Sequence, residues 1–361
     1  MDDHAFPLYA RPALLKGEIP SEGLGSRWQS PSNIALVKYW GKHGDQLPAN
    51  ASVSLTLEKS HTITRVNLKP GHGRLRFFLD EKEQPLFQQR LQKTLQGWKG
   101  SLPFLASADL EIHSSNSFPH SAGIASSASA MSALALCLVD LEHQLGGDLS
   151  EKERLDKASY LARLGSGSAS RSVYPFAAVW GKTTTLPGSG PLKAVPAPLI
   201  HPVFKGMKDS ILIVDPGVKA VSSSAGHRLM EGHPFARQRF EQADAHTAEM
   251  VSILGSGDLE AFLRIVEQEA LTLHGLMMSS VPGYLLLRPG TLEIIRILRD
   301  FREQNHVPLC FTLDAGPNVH LLYPETDGNK VRTLIDEMLL PWCHQGSVIH
   351  DETGAGPRPL T

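Results

Sequence analysis

The order of strand-like and helix-like segments constrains the fold of this chain more than any other feature. Apolar and polar residues alternate over residues 52–58, which is typical of a half-buried strand, and strand character continues to residue 68. Helices are then predicted over residues 84–97, 126–145, 151–164 and 234–276, and around 292–298 and 331–338. Strands are also predicted at residues 110–112, 210–214, 309–313 and 319–323. This order indicates an α+β fold rather than a doubly wound parallel sheet.

Composition and charge exclude several classes of function. The chain has 361 residues, of which 41% are apolar and 20% charged, as in ordinary globular proteins. Its 35 basic and 37 acidic residues nearly balance, so nucleic acid is not an expected partner. Cys137, Cys310 and Cys343 lack metal-ligand spacing and are expected to be reduced, buried thiols in a cytoplasmic protein. No membrane-spanning run or secretory signal is recognised.

Two further segments bear on the organisation of the chain. Residues 1–26 are rich in proline and glycine and are predicted to form an N-terminal extension that is packed on the surface or partly mobile. The helical stretch after residue 234 is interrupted at residues 255–258, where Asp258 is a candidate N-cap.

A run of small residues, Phe-Pro-His-Ser-Ala-Gly-Ile-Ala-Ser-Ser-Ala-Ser-Ala at 118–130, follows one predicted strand and opens a helix. Small side chains let the backbone approach an anion, and the first helical turn offers free N–H groups and partial positive charge. Ser126 and Ser127 add hydroxyls that can contact phosphate or a phosphate-bound Mg²⁺. Composition alone favours, slightly, the alternative of a small-residue helix packed tightly against a sheet.

Residues 30–42 place Lys38 and Lys42 on either side of Tyr39, Trp40 and Gly41. A lysine in a partly desolvated pocket can anchor a phosphate or lower the pKa of a neighbouring group. The alternative is a strand that ends in a solvated basic turn, with the aromatic pair in the core.

Residues 162–172 contain glycines that allow tight turns, serines that offer donors, and Arg171. The planar guanidinium of Arg171 suits a carboxylate or a phosphate. The alternative is a common glycine and serine turn with a surface arginine.

Asp314 is predicted to follow a buried strand, just before a tight turn at residues 315–318. A carboxylate in this position can accept a proton from a substrate hydroxyl. The alternative is a hairpin turn in which the aspartate caps local N–H groups.

These segments together resemble the diphosphomevalonate decarboxylase family of the GHMP kinase superfamily. Residues 33–42 match its Asn-Ile-Ala-x-x-Lys-Tyr-Trp-Gly-Lys at every fixed position, and residues 311–318 reproduce its Phe-Thr-x-Asp-Ala-Gly-Pro-Asn. In the phosphate motif Pro-x-x-x-Gly-Leu-x-Ser-Ser, Ile124 and Ala125 replace the Leu and the usual Gly; in Gly-Ser-Gly-Ser-Ala-Cys-Arg-Ser, Ser170 replaces Cys. The resemblance is collinear over roughly residues 27–345.

A weaker match covers residues 221–227, which resemble the family's Val-Ser-Ser-(Thr/Arg)-x-Gly-Met. Ser224 and His227 depart from that pattern. In the family the position of Ser224 lies near the substrate diphosphate, so this contact is expected to be weaker or replaced. His274 matches a family histidine and is expected to act only through its neighbours.

The resemblance implies a GHMP kinase-type two-lobed fold with the active-site cleft between the lobes. Residues 27–200 would form an N-terminal lobe like ribosomal S5 domain 2, and residues 201–361 a ferredoxin-like lobe that carries Asp314. The implied reaction is the decarboxylation of (R)-5-diphosphomevalonate to isopentenyl diphosphate, with ATP as co-substrate and Mg²⁺ as cofactor, in a homodimer.

The resemblance also implies individual roles. Asp314 would be the base, paired with Lys38, while Arg171 would fix the substrate and Asn33 would orient Arg171 or the carboxylate. The predicted substrate-binding residues are Tyr39, Trp40, Gly41, Lys42, Ser166, Gly167, Ser168, Ala169, Ser170, Arg171 and Ser224. The predicted ATP-binding residues are Ser114, Asn116, Ser121, Ala122, Gly123, Ala125, Ser126 and Ser127, and Ser127 would reach Mg²⁺ on the ATP phosphates.

Other functions stay open from the sequence. Within the family, the alternatives are a decarboxylase of the monophosphate and a kinase that phosphorylates the hydroxyl of the third carbon without decarboxylation. The Ser224 and His227 departures keep the monophosphate open. Outside it, the alternatives are a catalytically silent ATP-binding regulatory protein and a non-enzymatic structural module.

Overall fold

The computed structural model describes residues 7–119, 124–217, 221 and 223–361. In this part of the chain no helix combines the length and the apolar composition that a membrane crossing requires.

The strands of the described residues form a larger sheet, a smaller sheet and a short hairpin. They are β1 Leu24–Val37, β2 Lys42–His43, β3 Leu47–Pro48, β4 Ser52–Pro70, β5 Leu75–Leu79, β6 Lys82–Glu83, β7 Ala108–Asn116, β8 Ala177–Trp180, β9 Ala194–Pro196, β10 Met207–Leu212, β11 Cys310–Thr312, β12 Val319–Pro324, β13 Val348–Glu352 and β14 Arg358–Pro359. The larger sheet runs β14-β1-β4-β7-β5-β6, with β8 between β4 and β9; the smaller runs β11-β12-β10-β13; and β2 pairs with β3.

The helices of the described residues occupy the middle and later parts of the chain. They are α1 Pro85–Trp98, α2 Ser126–Gln144, α3 Glu151–Gly165, α4 Pro202–Lys205, α5 Ser223–Arg228, α6 Ala236–Ser256, α7 Leu259–Ser279, α8 Pro289–Asn305 and α9 Gly328–Leu334. A single π turn, Ile335–Leu339, continues α9, and a 3₁₀ segment, Gly167–Val173, follows α3. As predicted, Asp258 caps α7, because its carboxylate accepts the Ala261 N–H at 3.0 Å.

Helix α2 packs against β1 and β4 of the larger sheet. Ala128, Ser129 and Ser132 are fully buried in this contact, and their small size lets the helix lie close to the strands. The Ser132 hydroxyl lies 2.6 Å from that of Ser30 on β1. The tight helix-on-sheet packing left open by the sequence is therefore present, and it coexists with a helix start at Ser126.

The two sheets share a core instead of forming separate bodies. Ile34 of β1 and Leu55 of β4 belong to the same apolar cluster as Met250 of α6, Phe262 of α7 and Leu322 of β12. The predicted half-buried strand at residues 52–58 is therefore wrong in one respect: although Glu58 is partly exposed, both faces of β4 are covered over residues 52–57, and the polar residues there are fully buried. These polar residues are Ser52, Ser54 and Thr56.

Asp351 on β13 ties the two sheets together through the backbone. Its carboxylate accepts N–H groups of Glu58, Lys59 and Ser60 at 3.0, 2.8 and 2.7 Å. Replacing Asp351 with Ala should lower the free energy of unfolding by ~3 kcal/mol, because buried donors then lose a charged acceptor. Chemical denaturation checks this, with Asp258→Ala as a surface control expected to lose only ~1 kcal/mol. Equal losses in the two variants would contradict it.

Some element boundaries differ from the prediction. Strand β10 begins at Met207 and ends at Leu212 rather than Val214, because Asn318 Oδ1 accepts the N–H groups of Val214 and Asp215 at 2.9 and 3.0 Å and so ends the sheet pairing. Strand β1 begins at Leu24, three residues before the predicted start of the N-terminal lobe.

The residues before β1 pack on α2 and α3. Ala10 is fully buried, Ala13 N–H donates to Glu142 Oε1 at 3.2 Å, and Lys157 Nζ donates to the Arg11 carbonyl at 2.9 Å. The extension was predicted to be packed on the surface or partly mobile, and these residues are packed on the surface. The lobe boundaries themselves stay a prediction.

Candidate active site

Lys38 and Asp314 form an ion pair where the two sheets meet. Lys38 follows the last residue of β1, and Asp314 lies two residues after β11. Lys38 Nζ lies 3.1 Å from Asp314 Oδ1, and the side chains are 2% and 28% exposed. Burial lowers the pKa of the Lys38 ammonium, and the Asp314 carboxylate opposes that shift. The carboxylate is therefore within reach of a ligand in solution, while the ammonium is enclosed.

Arg171 is the second buried cation of this site. Its Nε donates to Ser54 Oγ at 3.0 Å, Nη1 to Ser52 Oγ at 2.7 Å, and Nη2 to Asn33 Oδ1 at 3.4 Å. These partners are neutral, so the charge of the guanidinium is not cancelled by them. Burial lowers the Arg171 pKa to about 10, opposed by the negative charge of Asp314. Of the two contacts predicted for Asn33, the structure contains the one to Arg171.

The 3₁₀ segment is fixed to β1 through Asn33, whose Nδ2 donates to Ser172 Oγ at 2.7 Å and to the Ser168 carbonyl at 3.2 Å. Ala169 and Ser170 are fully buried, so their side chains lie in the core and not at the surface of the site. A Cβ added at Gly167 would lie 2.6 Å from the Trp180 ring, so only glycine fits there.

The start of α2 lies beside the same segment. Ser127 Oγ is 3.3 Å from Ser166 Oγ, and Ser32 Oγ donates to the Ala125 carbonyl at 3.3 Å. Among the described residues no side chain caps the first turn of α2, and such a helix end can bind an anion. Ser126 is partly exposed, and Ser127 is exposed.

Ser121, Ala122 and Gly123 lie outside the described residues. Ser114 is buried with its hydroxyl 3.2 Å from that of Thr64, and Asn116 Oδ1 accepts the Thr62 hydroxyl at 2.7 Å. Both residues lie on β7, which borders β4. Their predicted contact with ATP stays a prediction.

Tyr39, Trp40 and Gly41 are held by His227. The His227 ring lies 4.3 Å from the Tyr39 ring and 4.7 Å from the Trp40 ring, and its Nδ1 accepts the Gly41 N–H at 3.0 Å. Burial, with a smaller effect of Lys42, lowers the His227 pKa to about 3, so the ring is neutral at pH 7. His227, which departs from the family pattern, thus packs against residues 39–41, which are predicted to bind substrate.

The Tyr39 hydroxyl is buried and makes no hydrogen bond within the part of the chain that the structure describes. Burial also raises the Tyr39 pKa. Lys42 Nζ donates to Gln46 Oε1 at 2.9 Å, and its pKa is lowered by burial and by the nearby positive charge of Arg228. Ser224 is exposed on α5.

A buried group that the sequence interpretation missed lies behind Lys38. Glu269 is fully buried and bonded to Arg239, His246 and the Lys38 N–H. A carboxylate at a core position of the predicted helix over residues 234–276 was the available signal, since such a charge requires buried partners. His274, expected to act only through neighbours, lies 3.1 Å from the Asp314 carbonyl oxygen through Nε2.

Models of known protein families match most of this chain. Residues 30–189 match a family model described as the diphosphomevalonate decarboxylase-like N-terminal domain, and residues 210–357 match the mevalonate 5-diphosphate decarboxylase C-terminal domain. The diphosphomevalonate decarboxylase of Candida albicans is 31% identical over 332 residues, covering 85% of this chain and 86% of that protein. The chain belongs to the diphosphomevalonate decarboxylase family.

Solved structures of this family have the same fold. The mevalonate diphosphate decarboxylase of Staphylococcus aureus superposes with a TM-score of 0.81 at 27% identity, over 93% of this chain and 98% of that one. The chain MDDEF, solved in complex with MVAPP, AMPPCP and magnesium, gives a TM-score of 0.79 at 28% identity, over 94% and 99%. The two-lobed GHMP kinase-type fold is therefore confirmed.

Proposed function

We propose that this protein catalyses the ATP-dependent decarboxylation of (R)-5-diphosphomevalonate to isopentenyl diphosphate, with release of ADP, phosphate and CO₂. The observation that carries the proposal is the reachable Asp314 carboxylate, 3.1 Å from the buried Lys38 ammonium, beside a buried Arg171 whose hydrogen-bond partners are neutral. The family to which the chain belongs supports the same reaction.

The chemistry follows from the leaving group. A tertiary hydroxyl leaves poorly, whereas a tertiary phosphate leaves readily. The γ-phosphoryl group of ATP is transferred to the oxygen on the third carbon, and the hydroxyl proton passes to Asp314. The carbon–oxygen bond then breaks with its electron pair on phosphate. The electrons of the bond to the carboxylate form the alkene, and CO₂ leaves.

Each charged residue of the site has a role in this reaction. Asp314 accepts the proton, and Lys38 stabilises the charges that change during transfer. Arg171, oriented by Asn33, fixes the substrate carboxylate or diphosphate. Tyr39, Lys42, Ser166 and Ser168 bind the diphosphate end, which suits a buried Tyr39 hydroxyl that has no hydrogen-bond partner among the residues the structure describes.

ATP would bind at the start of α2, which no side chain of the described ranges caps, and Ser126 and Ser127 would face its phosphates. Bound Mg²⁺ would supply charge neutralisation on the phosphate oxygens, reached by Ser127. In the described ranges no group of three or more His, Cys, Asp or Glu side chains could hold a metal ion. This fits an ion held mainly by substrate oxygens.

Release of ¹⁴CO₂ from carboxyl-labelled substrate with Mg-ATP tests the proposal. We expect release from the diphosphate and much less from the monophosphate. Preference for the monophosphate would select the monophosphate decarboxylase, and ADP formation without ¹⁴CO₂ would select the kinase. Thermal stabilisation by Mg-ATP without turnover of either compound would select the silent ATP-binding protein.

Lys42 provides a direct test of diphosphate binding. Lys42→Met is expected to raise KM for the diphosphate substrate ~10-fold and to change kcat less, because the ammonium beside Arg228 would bind a group present in both ground and transition states. Steady-state kinetics check this. Lys59→Met, at an exposed lysine that pairs with Glu352, is the control, and an unchanged KM in Lys42→Met would remove Lys42 from the role.

A homodimer in the cytoplasm is also part of the proposal. Val281 and Leu285, between α7 and α8, are 86% and 69% exposed, and such apolar side chains suit burial against a second copy. The three cysteines are free and buried, which suits a reducing compartment. Sedimentation equilibrium tests the dimer, and a monomer at every concentration would contradict it.

A further inference from the structure

The backbone of Lys38 lies beyond the strand pairing of β1. Pairing with β4 ends at Val37, opposite Val53. The Lys38 N–H instead donates to Glu269 Oε2 at 2.8 Å, and its carbonyl accepts from Arg239 Nη2 at 3.1 Å and from Asn50 Nδ2 at 3.0 Å. The main chain at this lysine is therefore fixed by side chains of α6 and α7 and by Asn50, in the connection between β3 and β4, and not by pairing in the sheet.

Glu269 has the bonding that a buried carboxylate needs. Arg239 donates to both of its oxygens, at 2.7 and 2.5 Å, and His246 Nδ1 lies 2.6 Å from Oε1. Burial acts to raise the Glu269 pKa, but hydrogen bonds from Arg239, His246 and the Lys38 N–H lower it to about 2. Glu269 is thus a fixed anion behind the lysine.

The same helix also holds Asp314. His274, on α7 with Glu269, is buried, and its Nε2–H donates to the Asp314 carbonyl at 3.1 Å. Burial is the largest cause that lowers the His274 pKa, to about 4, so the ring is neutral. Glu269 and His274 are five residues apart, about 7.5 Å along the helix axis. One rigid element therefore contacts the backbones of both members of the ion pair.

We propose that α7 sets the geometry of the Lys38–Asp314 pair, with Glu269 and His274 as positioning residues for Lys38 and Asp314. The two residues follow strands of different sheets, β1 and β11, so their separation would otherwise change with every small shift between the sheets. A displacement of about 1 Å in such a group can reduce a rate ~100-fold. The kinetic part of this inference rests on the proposed function; the geometric part does not.

The competing explanation is that Glu269 and Arg239 only stabilise the fold. A structural role lowers the free energy of unfolding but leaves the turnover of the folded enzyme unchanged. A positioning role lowers kcat while substrate binding stays nearly the same, because the affected groups act in the transition state.

Glu267 offers a matched control for Glu269. It lies on the same helix, is also buried, and is also paired with arginine, but its partners Arg299 and Arg302 lie on α8. We expect Glu269→Gln to lower kcat ~100-fold with both KM values within about threefold of wild type, and Glu267→Gln to lower kcat less than about threefold. Equal effects on kcat in the two variants would overturn the role of Glu269.

His274 gives a second test that does not leave a buried arginine unpaired. His274→Phe removes the donor to the Asp314 carbonyl, whereas His274→Gln can place an amide N–H near the position of Nε2. We expect ~10-fold loss of kcat in His274→Phe and partial recovery in His274→Gln. His233→Phe is the control, because the His233 Nε2 contacts the Leu276 carbonyl at 3.1 Å instead. Wild-type kcat in His274→Phe would remove His274 from the role.

Crystal structures of the variants separate this inference from the proposed function. In Glu269→Gln we expect Lys38 Nζ to move beyond about 4 Å from Asp314, outside ion-pair distance, and in Glu267→Gln to stay in place. If wild-type protein released no CO₂ from any substrate, the proposed reaction would fail while this distance still tested the positioning. An unmoved Lys38 in Glu269→Gln, with only stability reduced, would overturn it.

Discussion

Asp314→Asn is expected to lose ~10³-fold or more in turnover while still binding ATP, which corresponds to ~4 kcal/mol or more of transition-state stabilisation. The amide has the shape of the carboxylate but cannot accept the hydroxyl proton, and it leaves the buried Lys38 ammonium without its anionic partner. Single-turnover measurement of ADP and ¹⁴CO₂, together with calorimetric titration of Mg-ATP, would separate chemistry from binding.

Two results would contradict this expectation. Turnover near that of wild type would remove Asp314 from the role of base. Loss of ATP binding in parallel with turnover would indicate that the substitution disturbs the site as a whole. A cooperative unfolding transition above the assay temperature is the control, since loss of the anionic partner of the buried Lys38 should lower the transition temperature without preventing folding.

Arg171→Lys is expected to reduce kcat/KM by ~10²–10³-fold despite keeping the charge. The three guanidinium nitrogens donate to Ser54, Ser52 and Asn33, and an ammonium cannot reproduce that arrangement. Steady-state kinetics with the diphosphate substrate measure the loss, which should affect kcat at least as much as KM.

A graded series makes the Arg171 prediction sharper. Ser54→Ala removes only the hydroxyl that accepts from Arg171 Nε at 3.0 Å, so we expect a smaller loss of ~10-fold. If Ser54→Ala reduced kcat/KM as much as Arg171→Lys, the effect would come from disturbed packing in β4 and not from orientation of the guanidinium.

The sequence predicted Asp314, Lys38 and Arg171 as site residues through the family resemblance, but it could not give the distances between them. Lys38 and Asp314 are 276 positions apart, and no periodicity in the chain carries the 3.1 Å distance between them. The resemblance to a family implied the pairing of Asp314 with Lys38, and the structure contains that pair. Their convergence depends on how the two sheets pack, which is a property of the whole core.

Residues 52–58 show how a correct element can be placed in the wrong environment. The alternation predicted a strand, and β4 is present, but alternation alone assigns the polar face to water. In the fold that face meets the 3₁₀ segment, and Ser52 and Ser54 become hydrogen-bond acceptors for Arg171. A pattern that counts only apolar positions cannot show that these serines have a buried hydrogen-bond donor.

The role of Glu269 could not be predicted from the sequence for a related reason. Its partners Arg239 and the Lys38 N–H are 30 and 231 positions away, so nothing near it in the chain explains a buried charge. His227 is similar: the departure from the family pattern was visible, but its contact with the Gly41 N–H was not. In both cases the missing information was the identity of the neighbour.

The apolar cluster that joins β1 and β4 to α6, α7 and β12 has a consequence for protein engineering. Consider a chimera in which the chain from β10 onward is replaced by that of a relative. Its apolar core would then contain residues from two different proteins. Ile34 and Leu55 would then have to fit a foreign Met250, Phe262 and Leu322. The point where the chain passes from one sheet to the other is therefore a poor place to join two related sequences.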